Sequence, residues 1–530
     1  MDKSKTVNFI TNRKYMITTI SVLAGIGIVF TGILIFLNAS ELVAVDGASQ
    51  ISNIQYNIIR LEIFKLCFVL LLTATAGAIC IMLVLKTKLE YIYLVAVLCL
   101  GISYMFAITP FSIPDGHHHY QSSYIISGYM LFNDDPYMID TRHLDYRYSV
   151  GHSNIPEAYL RLMNEGVYII RGDAELTGMI APYSTQYPMW NIPQALGISI
   201  ARLIGLSFFG VFYLGRIFNF LFYSVCTFFA IKRLNAFKLP MFLISLTPMI
   251  LQQAASNSSD TFVNAVAFLF TAYAVSCIYE KDMFRWRDFC VLMILGVLLG
   301  PAKVVYLPII FLIFVVAWRW KETIKGKAWI LAALTVAASV AFAMLFFGAS
   351  TTDLAGSQEN WEGEQNYTLA FILANPFETL LMYLRTIYYF APFYVLSLFG
   401  RYLSGLTIIL PYWYVIVTIF LILAGVLYGK RDEWQPSVKE RIIFALICAA
   451  VVFLNLTVLM LGWTSDTHEA ILGVAGRYFI PILPLALLIL RFKKFFISND
   501  SFQSVVIFIF FLMQSTVVMY ILNDTIEKYG

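Results

Sequence analysis

The sequence predicts an all-α polytopic membrane protein. Three observations predict it: 60% of the 530 residues are hydrophobic and only 13% charged, the mean hydropathy is +0.76, and apolar runs of spanning length recur with basic residues at alternate ends. So little polar surface excludes a soluble globular chain. Hydrocarbon takes about twenty apolar residues per helix and tolerates no unpaired backbone N–H or C=O, so these runs are helices. A net charge of +4 is ordinary where basic residues collect on cytoplasmic loops, and no basic block points to nucleic acid. The seven cysteines lie inside apolar runs without CxxC spacing, which argues against a disulfide framework and a zinc site.

Along the chain, the run from Tyr15 to Asn38 is too long for a signal-peptide core and has no small-residue cleavage site behind it, so it reads as a retained anchor. Further spans are expected near 61–85, 89–110, 211–232, 239–255, 260–279, 287–300, 302–318, 327–349, 407–428, 441–463, 477–491 and 503–523, roughly thirteen crossings in all. Lys3, Lys5, Arg13 and Lys14 start inside, and Lys86 with Lys88, Lys232 with Arg233, Lys281 with Arg285 and Arg287, and Arg319 with Lys321 return there. Counting 377–399 as a full span would put Lys430, Arg431, Lys439 and Arg441 outside. That segment, with Arg385 and the break at Pro392, is therefore expected to be interfacial or re-entrant. The short run Ile192–Leu206 is expected to lie as a helix on the outer surface. The whole of 1–530 then forms a single membrane domain: a two-span extension over 1–88, a core over 89–491, and a closing span over 492–530. Its N-terminus is cytoplasmic, and the loops 111–192, 350–406 and 464–476 share the extracytoplasmic face.

The first of these loops follows the third span and holds five of the six histidines: His117, His118, His119, His143 and His152. It opens with Pro114-Asp115-Gly116-His117-His118-His119-Tyr120. An aspartate just beyond a hydrophobic span serves as a general base when burial or neighbours tune its pKa, which makes Asp115 the leading candidate. Asp before Gly is also a common turn or cap pair, and that alternative stays open. The histidine triplet offers metal-ligand chemistry, but consecutive side chains do not converge on one ion in regular structure, which favours a hydrogen-bonding role. Arg216, Lys303, Arg385, Arg401 and Arg477 stand near the outer ends of spans. Phosphate is a natural partner for such cations, and snorkelling or pairing with a nearby acid is the alternative. Asp260, in Ser256-Asn257-Ser258-Ser259-Asp260, sits where a helix begins and reads first as an N-cap. Trp361, Trp463 and the tyrosines near span ends are most simply an aromatic belt.

Several of these residues fall into an ordered series. Pro114-Asp115 with His119-Tyr120 is followed by Tyr187-Pro188 through Ile192-Pro193-Gln194-Ala195-Leu196-Gly197, by Gly215-Arg216 with Asn219, and by Pro248-Met249 through Gln252-Gln253-Ala254-Ala255-Ser256 to Asp260. Lys303 with Tyr306 and Gly476-Arg477-Tyr478-Phe479 with Pro481 continue the series, which covers roughly 105–490. In this order the segments resemble a family of bacterial polytopic membrane proteins of unknown function that is grouped with the GT-C glycosyltransferases. That family usually carries an acidic pair after the proline; here Gly116 replaces the second acid and leaves Asp115 alone.

The resemblance implies a GT-C-like fold and an enzyme of the bacterial cytoplasmic membrane. Such a glycosyltransferase takes a sugar from a polyprenyl-phosphate donor and transfers it, with inversion, to a cell-envelope glycan acceptor on the extracytoplasmic face. Asp115 is then the catalytic base, and His119, Tyr120, Arg216, Asp260, Lys303, Arg401, Arg477 and Tyr478 bind substrate, the cations stabilising the leaving phosphate. No cofactor is required. Some relatives use a divalent ion, and since no ligand spacing here demands one, metal is left open. A transporter or flippase of lipid-linked glycan is the competing class, disfavoured because no repeated half is visible and the polar groups gather on one face. An envelope glycan polymerase or ligase is the closest enzymatic alternative, and a non-enzymatic assembly or sensor subunit would keep the fold without needing Asp115.

Overall fold

Residues 53–151, 153–170, 175–179, 188–281, 283–300, 303–324, 327–347, 364–430 and 432–529 are described by a computed structural model. The expected anchor at 15–38 and Lys3, Lys5, Arg13, Lys14, His152, Tyr187, Trp361 and Arg431 lie outside those residues.

Asn53–Val84 (α1) and Leu89–Ala107 (α2) form a helical hairpin that turns at Lys86, a left-handed residue with φ 51. The expected outer loop follows, and it is mostly helical: Gly116–Met130 (α3), Thr141–Val150 (α4) and Pro156–Glu165 (α5), with Met138–Asp140 (β1) and Leu176–Gly178 (β2) paired antiparallel. The polar composition of α3 suggested a loop, yet most of the helix is buried. Ser122 and Ser123 donate their hydroxyls to the carbonyls of His118 and His119, four residues back, so the helix satisfies its own polar side chains and can be buried. Ile192–Ile204 (α6) and Phe208–Arg233 (α7) make a second tight hairpin, against which α3 packs.

Lys238–Ile244 (α8) and Pro248–Ala254 (α9) replace the single span expected over 239–255. Pro248 has no N–H to continue a helix and is pre-set to begin one, so the break falls before it. Asp260–Tyr279 (α10) and Trp286–Leu299 (α11) are continuous. The span expected over 302–318 is instead a 3₁₀ turn at Val304–Tyr306 followed by Leu307–Ile310 (α12) and Leu312–Arg319 (α13). Lys321–Ile324 (α14) leads into Lys327–Phe347 (α15). Leu369–Ala374 (α16) precedes Pro376–Leu398 (α17), and Tyr402–Leu403 (β3) pairs with Ile408–Ile409 (β4) where the span of 407–428 was expected to begin. Tyr412–Leu427 (α18) and Val438–Gly462 (α19) follow, the second opened by a reciprocal Ser437–Glu440 capping box. The span expected over 477–491 is a 3₁₀ turn at Gly476–Ile482 continued by Leu483–Ile489 (α20), with prolines at 481 and 484. Asp500–Ile526 (α21) packs on α1 and α2.

Six of these helices, α1, α2, α7, α10, α19 and α21, are long and apolar enough to cross a membrane; Val304–Arg319, Trp329–Met344, Tyr412–Leu427 and Gly476–Ile489 are shorter apolar stretches. Along α17, Met382 and Tyr383 pack with Leu456 and Met460 in the last turns of α19, and Tyr394 packs with Ile471 and Val474. The bundle has two polar ends. At one, the ion pairs Lys238–Glu90, Arg233–Asp288 and Arg491–Glu433 link the basic loops at helix termini. At the other, where α2 ends and α10 begins, lies Asp115.

Candidate functional site

The last four carbonyls of a helix have no partner within it. At the end of α2 two of those groups, Met105 and Ala107, and the two carbonyls just beyond, Ile108 and Thr109, are satisfied by side chains from elsewhere. Arg216 Nη1 donates to the carbonyls of Met105 and Ile108, both at 2.7 Å, and Nη2 to that of Thr109 at 3.0 Å. Asn154 Nδ2 donates to the Ala107 carbonyl at 3.0 Å, and its Oδ1 accepts from the Thr109 N–H at 2.7 Å. The short segment beyond is thereby fixed, and it turns through two left-handed residues, Phe111 with φ 63 and Asp115 with φ 58. Gly116 follows with no room for a side chain: a Cβ there would lie 2.8 Å from Ile113 Cγ1 and 3.2 Å from the Phe111 carbonyl. A second acid at 116 does not fit this backbone. Asp115 occupies the cap position of α3 but makes no capping hydrogen bond. Its carboxylate accepts from Arg477 Nη2 at 3.1 Å.

Arg477 arrives from the opposite end of the sequence. Gly476 lets it approach, because any Cβ at that position would run into the backbone of α17 at Tyr394 and Leu398; its own N–H donates to Ser397 Oγ at 2.9 Å. The Arg477 guanidinium is 16% exposed and bridges two acids, Asp115 on one side and Asp260 Oδ2 at 3.6 Å on the other. Asp260 is the first residue of α10, so the N-cap expected of it is Ser259 instead. Its carboxylate binds Lys303 Nζ at 2.5 Å and accepts from Gln253 Nε2 at 3.2 Å. Gln253 is itself oriented by Asn264 Nδ2, 2.9 Å from its Oε1. The four charges alternate, Asp115, Arg477, Asp260, Lys303, and sum to zero. Lys303 also lies 5.5 Å over the Trp190 ring and 5.6 Å over Tyr478, whose hydroxyl accepts from Arg477 at 3.1 Å.

His119, one helical turn beyond Asp115, places Nδ1 3.1 Å from Ser259 Oγ. Burial pushes its imidazole down to about 4 against the opposing pull of Asp260 and Asp115, so it is neutral at ordinary pH. Among the described residues no group of three or more His, Cys, Asp or Glu is arranged to hold a metal ion.

Beside this row of charges is a cavity of about 610 Å³. Phe390, Phe393, Leu406, Ile471 and Val474 give it apolar walls, while Pro114 and Arg477 bring the charged cluster to its edge. α17, the β3–β4 hairpin and the loop before Gly476 therefore build one apolar chamber that opens on Arg477.

Asp115, His119, Asp260, Lys303, Arg477 and Tyr478 are brought together as expected of a site. Three other candidates are not. Tyr120 is a core residue, 1% exposed, its hydroxyl 2.7 Å from His143 Nδ1 and its ring against Phe111 and Phe212. Arg216 is 1% exposed and occupied with the α2 carbonyls. Arg401 donates to the Leu410 carbonyl at 2.7 Å and stacks 3.4 Å over Tyr412, buttressing the hairpin rather than the charged row. Gln253 and Ser259 stand in segments quoted from the sequence but carry no assigned role there, and Trp190 carries none either; the Gln252-Gln253 pair inside an apolar run and the serine run before Asp260 are visible local signals for the first two.

The family described as "Predicted membrane protein (DUF2142)" matches residues 172–486, more than half of the chain. The chain belongs to that family of membrane proteins. The match takes in Asp260, Lys303 and Arg477 and begins beyond Asp115 and His119. No curated protein and no solved structure matches the chain.

Proposed function

We propose that this member of the family is a GT-C-type membrane glycosyltransferase that moves a sugar from a polyprenyl-phosphate donor to a cell-envelope glycan acceptor on the extracytoplasmic face. The observation that carries the proposal is the alternating row Asp115–Arg477–Asp260–Lys303 set at the edge of an apolar chamber. A lipid-phosphate sugar has the same two parts, an apolar chain and an anionic junction with the sugar. The chain lies in the chamber, and the phosphate meets Arg477 and Lys303. Guanidinium and ammonium groups held by carboxylates are oriented before substrate arrives, and such preorganised charge stabilises a leaving group whose negative charge grows.

Asp115 acts as the base. It is 58% exposed on its side chain, within reach of an incoming hydroxyl, and free of capping duties. The acceptor oxygen attacks the anomeric carbon, its proton passes to Asp115, the bond from that carbon to the phosphate oxygen breaks, and the lipid phosphate leaves with that electron pair. As Asp115 becomes neutral its hold on Arg477 weakens, and the guanidinium turns toward the phosphate that is gaining charge. Asp260, kept by Lys303 and Gln253, anchors the arginine throughout. The proposal needs no metal step.

The test is the envelope glycan of the source cell with the native chain, with Asp115→Asn, and with the gene removed. A sugar missing from both altered strains, with Asp115→Asn present at normal membrane levels, is the expected result. Loss on deletion alone would remove the general base and favour a transport or assembly role. Sidedness is checked with a cysteine at Tyr148, which is 77% exposed, in a cysteine-free background: an impermeant thiol reagent added outside the membrane should label it. Labelling only from the cytoplasmic side overturns the assignment.

A further inference from the structure

At the end of α10 away from Asp260, α7 and α10 enclose a cavity of about 410 Å³ lined by Lys232, Arg233, Asn235, Tyr273, Glu280 and Lys281, among others. The proposed transfer reaction uses none of them. The acids there are already engaged. Glu280 accepts from the backbone N–H groups of Asn235 and Ala236, both at 2.8 Å, and from Trp434 Nε1 at 3.0 Å. The neighbouring Asp288 pairs with Lys281, lies 3.8 Å from Arg233 Nη2, and accepts from the Arg285 N–H at 2.9 Å.

The cations are less fully used. Lys232 makes no ion pair among the described residues and rests over the rings of Phe228 and Phe229 at 5.6 and 5.8 Å. Arg233 lies 4.3 Å over Tyr273, and its Nε and Nη2 are buried without a hydrogen-bond acceptor. Lys232, Arg233 and Lys281 thus outnumber Glu280 and Asp288; Arg233 and Lys281 share Asp288, and Lys232 is left without an anionic partner among the described residues. Running away from this pocket along α7, Ile217, Leu221, Val225 and Phe229 are all exposed. They recur every fourth residue, so they form one apolar stripe that rises about 6 Å per step and ends beside Lys232.

We propose that this cavity seats the phosphate headgroup of an anionic glycerophospholipid of the surrounding bilayer, with Lys232 and Arg233 as its donors and an acyl chain along the Ile217–Leu221–Val225–Phe229 stripe. Basic pockets between membrane helices are suited to such headgroups, and the stripe favours a lipid over a soluble phosphate, which has no apolar part to place there. The lipid ties the end of α7 to α10.

The test is made on the full chain reconstituted in phosphatidylcholine vesicles containing a minor fraction of phosphatidylglycerol, with retained lipid counted by native mass spectrometry after extraction. The native chain should carry phosphatidylglycerol in preference to phosphatidylcholine. Lys232→Gln, at an exposed position without an ion pair, should keep its fold and lower that retention roughly fivefold. Lys493→Gln with Lys494→Gln, which changes charge elsewhere, should retain it as the native chain does. Equal retention by Lys232→Gln and the native chain overturns the proposal. So does equal loss from the Lys493 and Lys494 variant, which would mean diffuse charge attraction, or full displacement by inorganic phosphate, which would mean a site for a soluble anion.

Discussion

Arg216, fully buried, and Arg477, half-buried, are guanidiniums near the same end of the bundle, and they make opposite kinds of contact. Arg216 donates to backbone carbonyls and lies over the Phe212 and Tyr213 rings, with no carboxylate partner among the described residues; its charge sits on the negative end of α2, where a helix welcomes a cation. Arg477 meets two carboxylates at the edge of a cavity. The first closes a helix end and leaves nothing for a ligand. The second holds its charge between partners that a phosphate can replace. The difference teaches that a shielded cation is read from its acceptors: carbonyls assign Arg216 to the fold, and carboxylates at a cavity make Arg477 the one proposed to meet a phosphate.

Arg216→Ala strips donors from three buried carbonyls, so we expect on the order of 3–5 kcal/mol of lost stability and little chain in the membrane, checked by membrane level and thermal inactivation in detergent. Normal accumulation and melting would make the two arginines equivalent. Arg477→Lys keeps the charge but loses the planar fork. It should melt within about 1 kcal/mol of the native chain while sugar transfer falls on the order of 10²–10³-fold.

Acid should act on the structural side of the comparison as well. Burial pushes His143, the partner of Tyr120, down to about 4 from its ordinary 6.5. Below about 6.5 the unfolded chain takes up a proton that the folded ring refuses, so stability falls as pH drops from there toward 4 and is level above it. At pH 5 the loss is about 2 kcal/mol, read from thermal inactivation against pH, and His143→Asn should flatten the curve. His119 is shifted in the same direction and adds to the same slope. Gly476→Ala would force the turn bearing Arg477 off α17, with about 1–3 kcal/mol of destabilisation and weaker donor use, read as a raised KM for the lipid donor. Arg401→Ala, which loses contacts with the hairpin and with Tyr412 at the start of α18 but none with the charged row, should change thermal stability by about 1 kcal/mol or less and leave transfer nearly intact.

Much of this was legible in the chain, and the failures have physical causes. Membrane class, the helices at 89–107, 208–233, 260–279, 438–462 and 500–526, and the gathering of Asp115, Lys303 and Arg477 all follow from hydropathy and from charge placed at helix ends. Pro248 and Pro481 announced broken spans, yet a hydropathy window averages over a three-residue break. α3 read as a loop because its serines look hydrophilic, and only the fold shows that their hydroxyls are returned to their own helix. Arg216 and Arg477 were indistinguishable, since each follows a glycine near a span end and the sequence does not say which carbonyls or carboxylates lie opposite. Asp260 read as a cap for the same reason: its cationic partners stand far away in sequence.

That distance has a consequence for biogenesis. Asp115 and Arg477 are separated by 362 positions, so the ribosome delivers the proposed base long before the cation that holds it. A nascent chain emerging at about 5–20 residues per second inserts most of its helices while the charged row is still unfinished. Any product terminated before Gly476 lacks Arg477 and with it the proposed donor site. A second polypeptide beginning in the loop before α19 and supplying α19 to α21 in trans should restore it.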